Sequence, residues 1–278
     1  MSLPPITQPL TSVEAWARAI DARPLPVLAS TAWAVDEMRQ NEDAIDAHLL
    51  TQAVALDPLM TLKLLRHVAV VRQGRGTTDA ETVTEALVML GITPFFRAFE
   101  ASPPTVDAIL GADSEALAGF HAVLKRAQRA SRFALGFAIH LQDPDAAVIH
   151  EAALLHDFAE MLLWVHAPVL AGKIANQQLL DPTLRSNQAQ AAVLNIELQL
   201  LQQALMRQWR LPALLVQLDD DRSAQLRQVR TVNLAIRLAR HSAQSWHNPA
   251  VPDDLDDLSK LLSLSAAHTL TLCHDIDS

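Results

Sequence analysis

The sequence predicts an all-α protein, a compact helical bundle with an N-terminal helical lobe packed on it. Apolar residues recur at intervals of three and four almost throughout, alternating strand patterns of useful length do not occur, and Asp-Pro pairs give helix-start signals. Half of the 278 residues are apolar, enough to bury a substantial core.

Residues 1–24 read as an N-terminal extension with a short helix. At Asp57-Pro58 the carboxylate suits an N-cap and the proline suits the first helical position. Beyond that pair Leu59, Leu62, Leu65 and Ala69 share one face, leaving Lys63 and Arg66 towards solvent. Gln73 to Thr78, with Gly74 and Gly76, breaks the pattern; Glu81 to Leu90 resumes it, and Gly91 offers a C-terminal cap. The first lobe, about 25–104, should end near Ser102-Pro103-Pro104.

The second lobe, about 105–245, holds one long helical pattern from Asp113 to Leu141 and shorter ones near 145–157, 158–178, 183–194, 197–209 and 211–245. Asp143-Pro144 and Asp181-Pro182 mark starts within it. Residues 246–278 form an acidic C-terminal helix and tail. There Asp253, Asp254, Asp256 and Asp257 suit the positive end of a helix dipole, and Leu258, Leu261, Leu262 and Leu264 supply its apolar side. Trp16, Trp33, Trp164, Trp209 and Trp246 are expected in the core or between the lobes.

Composition removes several function classes. No apolar run reaches the roughly 20 residues of a membrane span, and MSLPPITQPL lacks the order of a secretory signal, so a cytoplasmic protein without a membrane partner is expected. The lone Cys273 permits neither an intrachain disulfide nor a thiolate cluster. A net charge of -9 makes nucleic acid an unfavourable main partner. With seven glycines and no glycine-rich turn after a strand, neither a dinucleotide fingerprint nor a P-loop is present.

Ala153-Leu154-Leu155-His156-Asp157-Phe158-Ala159-Glu160 sets adjacent His and Asp, both metal-ligand types, at the end of an apolar helix. His274-Asp275 repeats the pair in the tail without that context. Before His156 stand Leu25-Pro26-Val27-Leu28, then Asp57-Pro58-Leu59-Met60-Thr61-Leu62-Lys63-Leu64-Leu65, then Glu85-Ala86-Leu87-Val88-Met89-Leu90-Gly91. After it come Leu194-Asn195-Ile196 and Trp209-Arg210-Leu211-Pro212. In this order the words resemble the HDOD family, relatives of the HD-domain phosphohydrolases, over roughly Leu25 to His241. The resemblance implies an HDOD domain at 25–245 and a bacterial signalling or regulatory role.

It also implies that the catalytic metal shell is depleted. An HD enzyme needs several His and Asp ligands around its metal, and here the family's first-helix histidine falls at Ala122, with His121 one residue away. Later ligand positions fall at Leu198, at Asp219 to Asp221 and at Ile236, and the Gly-Lys of active enzymes is Ala159-Glu160. No catalytic residue, metal or cofactor is therefore expected, and His156 and Asp157 read as a vestigial pair. A phosphohydrolase using that pair with ligands out of register is the alternative.

Two basic runs could meet a small anionic ligand or an acidic partner: Lys125, Arg129 and Arg132 with Arg126 beside them, and Arg222, Arg227, Arg230, Arg237 and Arg240. The simpler reading is solvated helix faces whose long stems cover apolar neighbours. No aromatics interleave to stack bases, which leaves nucleic-acid binding a weaker alternative to contacts with other signalling proteins.

Overall fold

The computed structural model describes residues 3–73, 80–99, 102–181, 183–220, 223 and 225–278. The predicted break at Gly74 and Gly76, together with Pro182, Asp221 and Arg222, lies outside the described residues. The chain is all-α. Its extended pairing among the described residues is an isolated parallel bridge between Val27 and Thr105.

The chain forms two compact units, Met1–Val123 with Asp157–Leu211, and Leu124–His156 with Pro212–Ser278. The first holds α1 (Val13–Asp21), α2 (Ala29–Arg39), α3 (Ala47–Val54), α4 (Pro58–Val71), α5 (Val83–Leu90), α6 (Ile92–Ala98), α7 (Val106–Leu110) and the start of α8 (Ser114–His140). It is completed by α10 (Phe158–His166), α11 (Pro168–Leu180), α12 (Ser186–Leu194) and α13 (Leu198–Gln208). The second unit holds the rest of α8 with α9 (Ala146–Leu155), α14 (Ala213–Leu218), α15 (Arg227–His241), α16 (Val251–Leu262) and α17 (Ala266–Asp277).

The Asp57-Pro58 signal works as its chemistry requires: α4 starts at Pro58, and Asp57 Oδ1 accepts from the amides of Leu59 and Met60, each at 3.0 Å. Its Oδ2 accepts from Leu28 N at 2.8 Å, so one buried carboxylate caps α4 and holds the chain segment leading into α2. Leu59, Leu62 and Leu65 are buried as predicted, but so are Met60, Thr61 and Leu64, so α4 is enclosed on more than one side. Lys63 and Arg66 are accordingly half-buried rather than solvated. Arg66 lies over the Trp209 ring, 5.3 Å from its centre, and 2.9 Å from Asp21.

Gly91, at φ +84°, ends α5 in a backbone region that favours glycine, and α6 begins at once after it. Two long predicted helices are divided. The 158–178 pattern breaks at Ala167-Pro168 into α10 and α11, because proline supplies no amide to continue the ladder. The 211–245 pattern becomes α14 and α15. Asp143 accepts from Asp145 N at 3.1 Å, forming a turn ahead of α9, and α12 starts at Ser186 rather than directly after Asp181.

Four tryptophans pack at least partly inside the protein: Trp16, Trp164 and Trp209 are buried and Trp246 is half-buried. Trp16 also donates from Nε1 to Leu194 O at 3.1 Å. Trp33 departs from the expectation of core or inter-lobe packing, because 69% of it is exposed. Among the described residues no single helix is long and apolar enough to cross a membrane.

Candidate functional site

His156 and Asp157 form the turn between α9 and α10. His156 closes α9 with helical backbone angles, and Asp157 precedes α10 with its carbonyl accepting from Met161 N at 3.1 Å. Asp157 is buried, His156 is half-buried, and both are engaged by other groups of the chain. Asp157 does not cap the first turn of α10 with its side chain. A first-turn amide, Ala159 N, instead donates to Gln202 Oε1 of α13 at 3.2 Å. Sequence reasoning did not single out Gln202, since a glutamine inside an amphipathic helix carries no capping signal.

Apolar packing completes this corner. Phe158 lies 5.8 Å from Trp209, ring centre to ring centre, and Trp209 Nε1 donates to Asp21 Oδ1 at 2.8 Å. The Trp-x-Leu-Pro word thus acts as a packing and hydrogen-bonding post.

At positions where active relatives are expected to place ligands, Leu198 and Ile236 are buried aliphatics, 6% and 4% exposed. Both Ala122 and His121 lie on an exposed face of α8, so a shift of one residue still leaves a solvated histidine there. Asp219 is buried and has partners of its own. Among the described residues no three His, Cys, Asp or Glu side chains converge in a way that could hold a metal ion. Among the described residues the arrangement offers a His-Asp turn engaged by its neighbours rather than a set of converging donors.

The two basic runs are drawn into ion pairs. In the first, Lys125 and Arg132 are largely exposed, whereas Arg129 is 11% exposed and its Nε and Nη2 donate to the two Asp277 carboxylate oxygens, each at 2.6 Å. Arg129 Nη1 reaches Ala239 O at 3.2 Å, and the guanidinium lies 5.1 Å from the Phe133 ring centre and 5.4 Å from that of Trp246. Its planar fork fits a carboxylate bidentately while its face covers the rings. The result fastens α17 to α8.

In the second run Arg237 Nη2 donates to buried Asp254 at 2.7 Å, and Nη1 donates to Asp257 at 3.1 Å. His241 Nδ1 lies 2.6 Å from the other Asp254 oxygen. Arg227 pairs with buried Asp143 at 3.1 Å, and Gln228 joins Asp143 and Asp145. Arg230 and Arg240 remain on the exposed face. A cross-helix signal was present, with basic residues at 237 and 241 one turn apart and acids at 254 and 257 three apart.

Burial pushes the Asp277 carboxyl up, but hydrogen bonds and charge from Arg129, with help from Arg132 and Trp246, outweigh it and hold the group below its ordinary 3.8. For a depressed carboxylate the stabilising contribution is complete above the ordinary value and is lost as pH falls through the folded one. Arg129→Ala should cost about 2 kcal/mol, less than a fully enclosed pair because both partners keep some water contact. Urea denaturation near neutral pH checks this, and a loss within about 0.5 kcal/mol of zero contradicts the anchoring role.

The HDOD domain family model matches residues 25–220. Among solved structures the chain is similar to the MmoQ response regulator of Methylococcus capsulatus, at 21% identity and a TM-score of 0.63, covering 86% of this chain and 98% of that one. It is also similar to a virulence factor of Campylobacter jejuni, at 15% identity and a TM-score of 0.61, covering 95% of this chain and 98% of that one. At these identities the likeness is one of fold. No curated protein matches the chain.

Proposed function

Since the chain belongs to the HDOD family, a degenerate branch of the HD phosphohydrolase superfamily, we propose that it is a non-catalytic bacterial signalling or regulatory module acting through contacts with other signalling proteins. The carrying observation is that no third acid, thiol or imidazole among the described residues joins His156 and Asp157 in a metal-holding group. Buried Leu198 and Ile236 at two expected ligand positions support the same reading, because aliphatic carbon cannot coordinate a cation. The structural likeness to a protein described as a response regulator agrees with a signalling role.

The test is metal stoichiometry after incubation with Mn²⁺, Fe²⁺ and Zn²⁺, alongside turnover of cyclic dinucleotides and nucleoside phosphates, for the wild type and His156→Ala. Substoichiometric metal and equal background turnover in both proteins are expected. One ion per chain and measurable hydrolysis, both abolished by His156→Ala, would overturn the reading in favour of a phosphohydrolase.

A further inference from the structure

Within the second unit α17 is enclosed far less than its neighbour. Of its 12 residues Thr269 and Cys273 are buried, whereas α16, of the same length, buries Val251, Asp254, Leu258, Leu261 and Leu262. A helix that buries so little apolar surface belongs to the low-stability end of a fold, where opening locally costs less than unfolding globally. Its connection to α16 is short and suited to a pivot. Ser263 takes a left-handed backbone at φ +56°, Leu264 N donates to Ser259 O at 3.1 Å, and the Ser265 hydroxyl caps α17 by accepting from His268 N at 3.3 Å. Each cap lies within its own helix end, so the angle between α16 and α17 can change without uncapping either.

The restraints on α17 gather at its far end. Asp277 accepts from Arg129 with both oxygens, and Trp246 adds a side-chain bond to the same carboxylate. Ile276 sits so close to Gly136 of α8 that any Cβ at Gly136 would overlap it. The His274 ring lies 4.3 Å from that of Trp246, centre to centre. Cys273, one turn before Asp277, is fully buried, and burial first and the Asp277 charge second push its thiol up to about 12. Such a thiol is inert while α17 stays docked, because the thiolate is the nucleophile.

We infer that α17 is a latch, which swings off α8 about Ser263–Ser265 while the rest of the second unit stays folded, with the Arg129–Asp277 pair as its catch. Closed, it covers the Arg129 guanidinium and the rings of Phe133 and Trp246 beside it; open, it presents them together with the Cys273 thiol. Nothing in the inference requires the His156–Asp157 corner.

Cys273 is the chain's one cysteine, so its exchange with dipyridyl disulfide reports the open state, and this neutral reagent does not compete for Arg129. The full chain is followed in weakly alkaline buffer at rising urea below the global transition, which tryptophan fluorescence records in parallel. Wild-type exchange should be nearly independent of urea there, as an opening that exposes little surface requires. Asp277→Asn should speed it about ten-fold, the factor that one charge-assisted hydrogen bond controls. Gly136→Leu fills the seat of Ile276 with a better helix former than glycine, and should speed exchange by about the same factor without weakening α8 itself. Exchange that rises with urea as steeply as global unfolding overturns the inference, because α17 then leaves only when the whole unit unfolds. So does an exchange rate that either substitution leaves unchanged, and the wild-type urea slope decides alone if a variant does not fold.

Discussion

Asp57→Ala is expected to destabilise the protein by about 3 kcal/mol, the combined cost of losing a helix cap and leaving enclosed amides without an acceptor. The carboxylate is 1% exposed and accepts from three backbone amides, those of Leu28, Leu59 and Met60, with Thr31 adding a side-chain bond. Alanine leaves those donors with nothing in reach. Asp57→Asn separates the contributions: one oxygen can still face Leu59 and Met60, but the amide nitrogen then meets Leu28 N, donor against donor, for a cost of about 1 kcal/mol. Burial dominates the titration of Asp57 and raises its carboxyl above the ordinary value, although the four hydrogen bonds pull it down. A raised group contributes fully below its unfolded value and loses that contribution as pH rises through the folded one. The wild-type advantage over the asparagine variant should therefore be largest in acid and narrow towards neutrality. Urea titrations at several pH values, read by tryptophan fluorescence, measure both differences, and an alanine variant as stable as the wild type sinks the argument.

Asp57 also shows why parts of this fold can be read from sequence. An Asp-Pro pair before a helical apolar pattern is a local instruction, so the start of α4 could be placed to the residue, and the long α8 followed from uninterrupted periodicity. The second job of the same carboxylate, holding Leu28 N from 29 residues away, belongs to tertiary structure and has no local signal. Helix breaks were less legible. Ala167-Pro168 carried a visible cue that continuous hydrophobicity on both sides outweighed, and the short α6 beyond Gly91, only seven residues long, is too brief for its periodicity to stand out. Trp33 shows the limit of residue type as a guide to burial, because size and hydrophobicity favour the core but the neighbours decide.

The candidate site divides similarly. The ordered family words and the substitutions at Leu198 and Ile236 were legible because each is an identity at a position. The pairing of Arg129 with Asp277, 148 residues later, was not, since a row of arginines looks the same whether it faces water or a buried acid. Gln202 under α10 is a similar case: hydrogen bonding to a helix end is a property of placement, not of composition.

His166 leads to the second large effect, a loss of about 3 kcal/mol of stability as the solution is acidified from pH 6.5 towards pH 4. Burial first, and the Arg23 charge second, push this imidazole from its ordinary 6.5 down to about 4. Above 6.5 the group is neutral in both the folded and unfolded chains and does not bias the equilibrium. Between the two values the unfolded chain takes up a proton that the folded one refuses, so stability falls with a slope approaching one proton, and it levels once the folded protein also protonates. His166→Leu, apolar and of similar reach, should remove that slope while keeping the buried position occupied. Its curve should cross the wild type's, lying at or below it near neutrality and above it near pH 4.5, because the variant has no proton to refuse. Asp277, held below 3.8, loses its contribution beneath this window, and the contribution of Asp57, which does change within it, is common to both proteins and cancels in the comparison. Thermal or urea unfolding across this range decides the matter: parallel wild-type and His166→Leu profiles would show that the imidazole titrates as freely in the folded chain as in the unfolded one.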